Sequence, residues 1–148
     1  MTCNTAYGKI TGALPNGRLA GQPLSNGLSP SNGADRNGPT ALLRSAAGLD
    51  SRNWANCVNL NIKFDKKTVQ GKSGFNALSA LFRAYLVEQK GMQVQVNILD
   101  ADTLRAAKEN PADFPSLLVR VAGYCAYFQE LDPDVQDEII SRSEHGLH

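Results

Sequence analysis

Residues 92–123, MQVQVNILDADTLRAAKENPADFPSLLVRVAG, decide the fold of this 148-residue chain. The stretch Met92–Leu99 alternates apolar and polar side chains, which predicts a β-strand. A helix is predicted over residues 101–109, because an aspartate that can cap it precedes this range and a proline follows it. The apolar run Leu117–Val121 predicts a further strand, which stops at Gly123. Strands that alternate with helices in this order indicate the α/β class.

The alternation of strands and helices extends to both sides of this stretch. Residues 57–64, CVNLNIKF, predict a half-buried strand, with Leu60, Ile62 and Phe64 on its apolar face and asparagines and a lysine on the other. Further helices are predicted over residues 40–48, over residues 74–89, and after the pair Asp132-Pro133. Three strands make a thin sheet for a complete α/β domain, so the chain is expected to be part of a larger one.

Composition and charge exclude several classes of function. The chain carries 15 Lys and Arg against 14 Asp and Glu, a net charge of +1, which argues against nucleic-acid binding by bulk electrostatics. No apolar run approaches the ~20 residues of a membrane span, and the first ten residues do not resemble a secretory signal. Cys3, Cys57 and Cys125 form no CxxC pair, which indicates reduced thiols in a cytoplasm; Cys57 and Cys125 are expected to be buried.

The first 50 residues differ in composition from the rest of the chain. They hold eight of the 13 glycines and four Asn-Gly pairs, which are strong turn signals. A loop of this length is improbable inside an independent small domain. We therefore expect the segment either to be disordered or to lie against protein that this chain does not contain.

Two sequence features resemble known sites only weakly. Gly71-Lys72-Ser73 resembles the end of a phosphate-binding loop, but a lysine stands where that motif needs its first glycine, so a polar turn before a helix is the better interpretation. His145 and His148 are the only histidines, too few for a metal site, and they are expected to lie in a solvated tail. The sequence therefore predicts no metal and no bound cofactor.

Acidic residues near the C-terminus have a structural interpretation. Asp134, Asp137 and Glu138 form an acidic beginning to the last helix, which complements the helix dipole without any catalytic role. Gly123, taken by spacing alone, is a turn glycine with a positive φ angle.

The segment Arg120–Ala126, RVAGYCA, resembles the signature of the glycyl radical enzymes. That signature is arginine, a β-branched residue, a small residue, glycine, tyrosine, any residue and a small residue. Leu118 departs conservatively from the Ser, Thr, Ile or Val that the family prefers two positions before the arginine. The resemblance extends to residues 12–41 as the Gly-rich approach, and to residues 93–145 as the strand, helix, glycyl strand and closing helix.

The resemblance implies a fold and a site. The chain would be the C-terminal segment of a ten-stranded α/β barrel, with residues 1–50 as the approach segment and residues 51–148 as the glycyl radical domain. Gly123 would store a radical that a radical-SAM activating enzyme installs. The radical would pass to a cysteine on another loop, outside this chain, because the flanks of its own three cysteines do not match that loop.

The resemblance also implies an anaerobic radical lyase that acts on a small-molecule substrate, with small accessory subunits as further candidate partners. From the charge and hydropathy, no nucleic acid or membrane is expected as a partner. Residues 26–45 and 59–65 resemble the branch of the family that contains decarboxylases, dehydratases, amine lyases and hydrocarbon-succinate synthases. Within that branch, residues 92–102 and 120–128 resemble most the synthases that add toluene or alkanes to fumarate. Glycyl radical decarboxylases, dehydratases and amine lyases are the alternatives. A further alternative is a non-catalytic stand-alone subunit that repairs an oxygen-cleaved enzyme.

Overall fold

A computed structural model describes residues 4–50, 59–142 and 144–146 of the chain. The helices are α1 (Asn4–Ile10), α2 (Gly38–Ala47), α3 (Gly71–Arg83), α4 (Ala101–Glu109) and α5 (Pro133–Ser141). The strands are β1 (Asn61–Phe64), β2 (Gln95–Ile98), β3 (Leu118–Arg120), β4 (Cys125–Tyr127) and β5 (Glu144–His145). Helices and strands alternate through the centre of the chain, which confirms the α/β class. None of the described helices is long and apolar enough to span a membrane.

Several sequence predictions fall outside the described residues. They concern Cys3, Cys57, the start of the predicted strand at residues 57–58, and His148. The predicted helices and strands that lie within the described residues are all present, with ends that differ by a few residues. The strands β4 and β5 were not predicted, because two or three residues are too short to show a periodicity.

The strands form a parallel sheet and a separate antiparallel hairpin. β1 is the centre of the sheet, with β2 on one side and β5 on the other. β3 and β4 form the hairpin, in which Val119 lies opposite Ala126 and Arg120 lies opposite Cys125. The hairpin carries the RVAGYCA segment, so the fold places that segment at its turn.

One face of the sheet is apolar and supports two helices. Leu60, just before β1, and Ile62 and Phe64 of β1 are buried against α2 and the end of α3. There α3 continues into a π-helical turn, Ala84–Glu88, which turns Tyr85 into the core. The apolar side chains of this helix pack on the sheet only in part, because Phe75 and Leu86 are exposed.

The other face of the sheet is polar and is also buried, which corrects the prediction of a half-buried strand. Asn61 and Lys63 of β1 and Gln95 and Asn97 of β2 are all at most 6% exposed. The hairpin contacts β2, and Lys63 reaches the end of α5. The polar face is therefore an internal layer rather than a solvated surface.

A second apolar cluster lies beyond this polar layer and unites the hairpin with α4 and α5. Its buried members are Leu104, Ala107, Val119, Val121, Phe128 and Ile139. Both helices begin at a capping aspartate, as the sequence predicts for α4: Asp100 accepts a hydrogen bond from the backbone N–H of Thr103, and Asp132 accepts one from that of Asp134. These caps hold α4 and α5 in place behind the hairpin.

The N-terminal segment contacts this chain itself, which the sequence-based alternatives did not include. Arg18 is buried and donates from its guanidinium to the carbonyls of Gly8, Gly12 and Gln22, so one side chain organises the turns around it. The backbone N–H of Leu28 donates to the carbonyl of Asn59 at 2.7 Å, just before β1. The part of the segment around Leu28 thus packs beside β1, while α1 contacts α5.

His145 is buried, which corrects its assignment to a solvated tail. It lies in β5 and is 4% exposed, with its ring at the edge of the Phe64 ring. Its Nε2 lies 2.8 Å from a carboxylate oxygen of Asp35. The contact joins residues 110 positions apart, so no local pattern could show it.

Candidate functional site

Gly123 lies at the tip of the β3–β4 hairpin. The backbone N–H of Val121 donates to the carbonyl of Tyr124 at 3.0 Å, which closes a four-residue turn. Gly123 is the third residue of this turn and has φ +80°, a conformation that favours glycine. A Cβ built on Gly123 would meet no atom closer than the Asn59 Nδ2 at 3.6 Å, so conformation rather than space demands glycine here.

Gln95, on the polar face of β2, holds the turn through its side-chain amide. Its Oε1 accepts the backbone N–H of Gly123 at 2.7 Å and the Nε–H of Arg120 at 3.3 Å. Because both groups are donors, the oxygen rather than the nitrogen of the amide must face them. The amide nitrogen of Gln95 is buried and has no hydrogen-bond partner among the described residues.

Asn97, two residues along the same face of β2, holds the strand that leads into the turn. Its Oδ1 accepts the backbone N–H of Arg120 at 2.8 Å, and its Nδ2 donates to the carbonyl of Arg120 at 2.7 Å. The side-chain amide thus satisfies both backbone groups of one residue, as a neighbouring strand would. β3 is therefore pinned to β2 through a side chain.

A buried ion pair on α5 holds the same backbone from a third direction. Arg142 pairs with Glu138 at 2.8 Å, and their side chains are 8% and 3% exposed. Arg142 also donates to the carbonyl of Val121 at 2.9 Å and to that of Arg120 at 3.3 Å. The helix-dipole interpretation does not account for Glu138, which lies beyond the first turn of α5: its buried carboxylate orients the arginine that binds the hairpin backbone.

Cys125 is exposed, which corrects the prediction that it is a buried apolar residue. It begins β4 on the outer side of the hairpin, with its Sγ 3.5 Å from an Nη of Arg120. Tyr124 and Tyr127 are exposed on the same hairpin. The tip and outer side of the hairpin are thus open, while its base is buried.

Lys63 lies buried in the polar layer, away from the turn. Its Nζ donates to the carbonyl of Ile140 at 3.2 Å and lies 3.6 Å from a carboxylate oxygen of Glu144. Burial lowers the pKa of this amine below its ordinary value, and the carboxylate of Glu144 only partly opposes the shift. The lysine helps to join β1 to the C-terminal segment.

The remaining weak candidates have structural roles. Gly71-Lys72-Ser73 is polar and exposed, as predicted, but it forms the first turn of α3 rather than a turn before it. Asp134 pairs with Lys9 of α1, and Asp137 pairs with Lys108 of α4. These acidic side chains join helices at the surface.

Sequence reasoning predicted a turn glycine at Gly123 but missed the side chains that hold the turn. Gln95, Asn97 and Arg142 lie 19 to 28 residues from the turn and belong to other elements. One signal was available: the polar positions of the β2 strand are amides, and amides are better suited than charged groups to an internal polar layer. For Arg142 no local signal exists, because its partners on the hairpin are backbone carbonyls.

Comparison with known proteins places this geometry in a family. Residues 24–129 match the family model described as "Glycine radical". The trans-4-hydroxy-L-proline dehydratase of Clostridioides difficile is 43% identical over 97% of this chain, and the isethionate sulfite-lyase of Oleidesulfovibrio alaskensis is 45% identical over 98%. The chain spans only 18% of the length of either relative.

A solved structure agrees with the sequence comparison. The B12-independent glycerol dehydratase from Clostridium butyricum, in its glycerol-bound form, superposes with a TM-score of 0.94 and 45% identity over 97% of this chain and 18% of its own length. The matched region is the C-terminal part of such enzymes. The match includes the hairpin and its turn, so the chain belongs to the glycine radical family.

Proposed function

We propose that Gly123 is the radical site and that the chain works as the glycyl-radical-bearing part of a larger anaerobic enzyme. The observation that carries the proposal is the position of the RVAGY glycine at an exposed turn tip, on a base that four buried polar side chains hold. A glycine α-radical is delocalised into the amides on both sides of it. A side chain at this carbon would hinder that delocalisation and the approach of an activating enzyme.

The reaction that follows from this site begins with loss of one hydrogen atom from the Gly123 α-carbon. A radical-SAM activating enzyme would remove the hydrogen atom, which would form a C–H bond at the carbon-centred radical of that enzyme. The radical would then pass to a cysteine on another loop, outside this chain, and the thiyl radical would take hydrogen from a small-molecule substrate. The residues of this chain hold the turn in position, and the radical supplies the chemistry.

The rest of the enzyme would be a ten-stranded α/β barrel in the cytoplasm, which encloses the hairpin, with small accessory subunits as further partners. Exposed side chains on the hairpin support this proposal. Leu118 is 52% exposed and lies opposite Tyr127, which is 44% exposed. Apolar surface of this kind is normally covered by protein.

The substrate class has two candidates. Addition of a hydrocarbon to fumarate is the reaction that the sequence resemblance favours, and it stays a prediction. The relatives named above are a dehydratase and a sulfite-lyase, and an indoleacetate decarboxylase is also similar. These relatives support the alternative, in which the radical breaks a C–O, C–S or C–C bond of a small polar substrate.

The test is to replace Gly123 in the complete enzyme that contains this chain and to activate it anaerobically. We expect Gly123→Ala to abolish the organic radical signal in electron paramagnetic resonance, and the parent to be cleaved at Gly123 on exposure to oxygen. Gly33→Ala is the matched control, because Gly33 has a similar φ of +79° and open space around it. A radical signal that persists in Gly123→Ala, or that disappears in Gly33→Ala as well, would contradict the assignment.

A further inference from the structure

The turn conformation of Gly123 is not the conformation of a delocalised radical. A radical on the α-carbon overlaps with both flanking amides only when the backbone is close to planar on each side of it, as in an extended chain. At φ +80° the preceding amide is twisted well away from that arrangement. Formation of a stabilised radical therefore requires rotation about the N–Cα bond of Gly123.

Two hydrogen bonds flank that rotating bond, and they respond to it differently. The N–H of Gly123, which donates to Gln95 at 2.7 Å, belongs to the peptide before the α-carbon. The carbonyl of Tyr124, which accepts from Val121 at 3.0 Å, lies beyond it. If the N–Cα bond rotates while the Ala122–Gly123 peptide stays in place, the hydrogen bond from Gly123 to Gln95 is kept. The hydrogen bond from Val121 to the Tyr124 carbonyl, which closes the turn, is broken.

The backbone and the side chain of Gln95 are both fixed by their surroundings. Its backbone belongs to the parallel sheet and donates to the carbonyl of Leu60 at 2.7 Å, and its side chain is buried. Its amide oxygen accepts from two donors, and rotation of the amide by half a turn would bring the NH2 group, itself a donor, against them. The orientation of the amide is therefore fixed. Tyr124, on the other side of the α-carbon, is 42% exposed at the hairpin tip.

We propose that Gln95 is a positioning residue that holds the Ala122–Gly123 peptide still, while the chain from Gly123 to Tyr124 swings as the α-carbon becomes planar. The proposal rests on the proposed function of Gly123. The hydrogen atom leaves the α-carbon for the carbon-centred radical of the activating enzyme, and no atom of Gln95 is consumed. Gln95 thereby sets where the radical carbon stays and which segment moves.

The experiment compares the complete enzyme before and after anaerobic activation, by amide hydrogen exchange at single-residue resolution and by electron paramagnetic resonance. In the parent we expect the Gly123 amide to stay protected on activation, while the Val121 amide loses protection. In Gln95→Met, which cannot accept the hydrogen bond, the Gly123 amide should exchange roughly fivefold faster even before activation. The resonance of its radical should broaden, because the amide orientation is no longer defined.

Two further variants separate positioning from general damage. Gln95→Glu keeps an acceptor for both donors and should restore the protection of Gly123 and the narrow resonance. Gln129→Met is the control, because Gln129 bonds the carbonyl of Pro115 at the open end of the hairpin and does not contact the turn. It should leave both measurements unchanged.

The outcomes are distinct for this proposal and for the proposed function. If Gln95→Met leaves the exchange at Gly123 and the radical resonance unchanged, or if the Val121 amide stays protected in the activated parent, the proposal is overturned while Gly123 remains the radical site. If the parent forms no radical at Gly123, the proposed function fails and the positioning role fails with it.

Discussion

The two faces of the parallel sheet hold their neighbours in different ways. On the apolar face, Leu60, Ile62 and Phe64 pack against helices through contacts that have no direction. On the polar face, Gln95 and Asn97 hold the hairpin through hydrogen bonds that each specify an atom and an angle. The sheet therefore combines a cohesive side with a positioning side.

These two kinds of contact allow a small segment to be held at some atoms and released at others. An apolar contact weakens gradually as surfaces separate, whereas a single hydrogen bond can break while its neighbours stay intact. Separate hydrogen bonds to Gln95 and from Arg142 hold the turn around Gly123, and a hydrogen bond from the Val121 N–H to the Tyr124 carbonyl closes it. Substitutions that remove contacts on one face of the sheet at a time test whether the two faces have separate roles.

The largest effect is expected from the apolar face. Phe64→Ala removes a fully buried ring at the centre of the sheet and should lower the free energy of unfolding by about 4 kcal/mol. Urea unfolding of the protein that contains this chain measures the loss. Phe75→Ala, at a ring that is 67% exposed, should change stability by no more than about 0.5 kcal/mol. Equal effects of the two variants would show that the apolar face is not the main source of cohesion.

A smaller and more local effect is expected from the polar face. Arg142→Met leaves the buried Glu138 carboxylate without a partner and should cost about 3 kcal/mol, with fast amide exchange concentrated at Val121 and its neighbours. Adding Glu138→Leu should recover part of the loss, because it removes the unpaired charge. Arg105→Met, at an exposed pair with Asp102, is the control and should cost less than about 0.5 kcal/mol. A loss of protection that spreads evenly over the sheet would contradict a separate positioning face.

The smallest effect is a pH dependence within the polar layer. Burial lowers the pKa of Lys63 in the folded state, so the unfolded chain binds a proton there more tightly. The free energy of unfolding should therefore rise with pH between the lowered pKa of the folded state and the ordinary lysine value of 10.5. Burial raises the pKa of Tyr85, which opposes this trend only above its ordinary value of 10.0.

Urea unfolding between about pH 8 and pH 10 separates these two groups. The rise in stability should flatten in Lys63→Met and persist in Lys67→Met, whose lysine is exposed. The same slope in both variants would show that Lys63 is not the titrating group.

Much of the fold was predictable because its signals are local. The alternation in Met92–Leu99 led to β2, and the aspartate and proline around residues 101–109 bounded α4. The pair Asp132-Pro133 led to α5, and the RVAGY segment led to the turn glycine. In each case the side chains that form the element lie within a few residues of one another, so spacing alone carries the information.

The polar face was misjudged for a physical reason that spacing cannot reveal. An alternating strand has a polar face whether water or protein lies against it, and β1 gives no local sign of which one does. The structure buries Asn61 and Lys63 because the hairpin and α5, which come later in the chain, fold back over the sheet. Local sequence likewise did not indicate which side chains are covered in two other places. Cys125 was expected to be buried and is exposed, and His145 was expected to be solvated and is buried.

The class of fold, the family resemblance and the glycine at the turn follow from the sequence alone, because each depends on residues that are neighbours in the chain. The way in which that glycine is held depends on contacts between distant parts of the chain. The groups that hold it, Gln95, Asn97 and Arg142, act on backbone atoms of the hairpin. Every residue except proline presents the same backbone donor and acceptor, so the sequence of the hairpin does not show which distant groups bind them, and three-dimensional packing selects those partners.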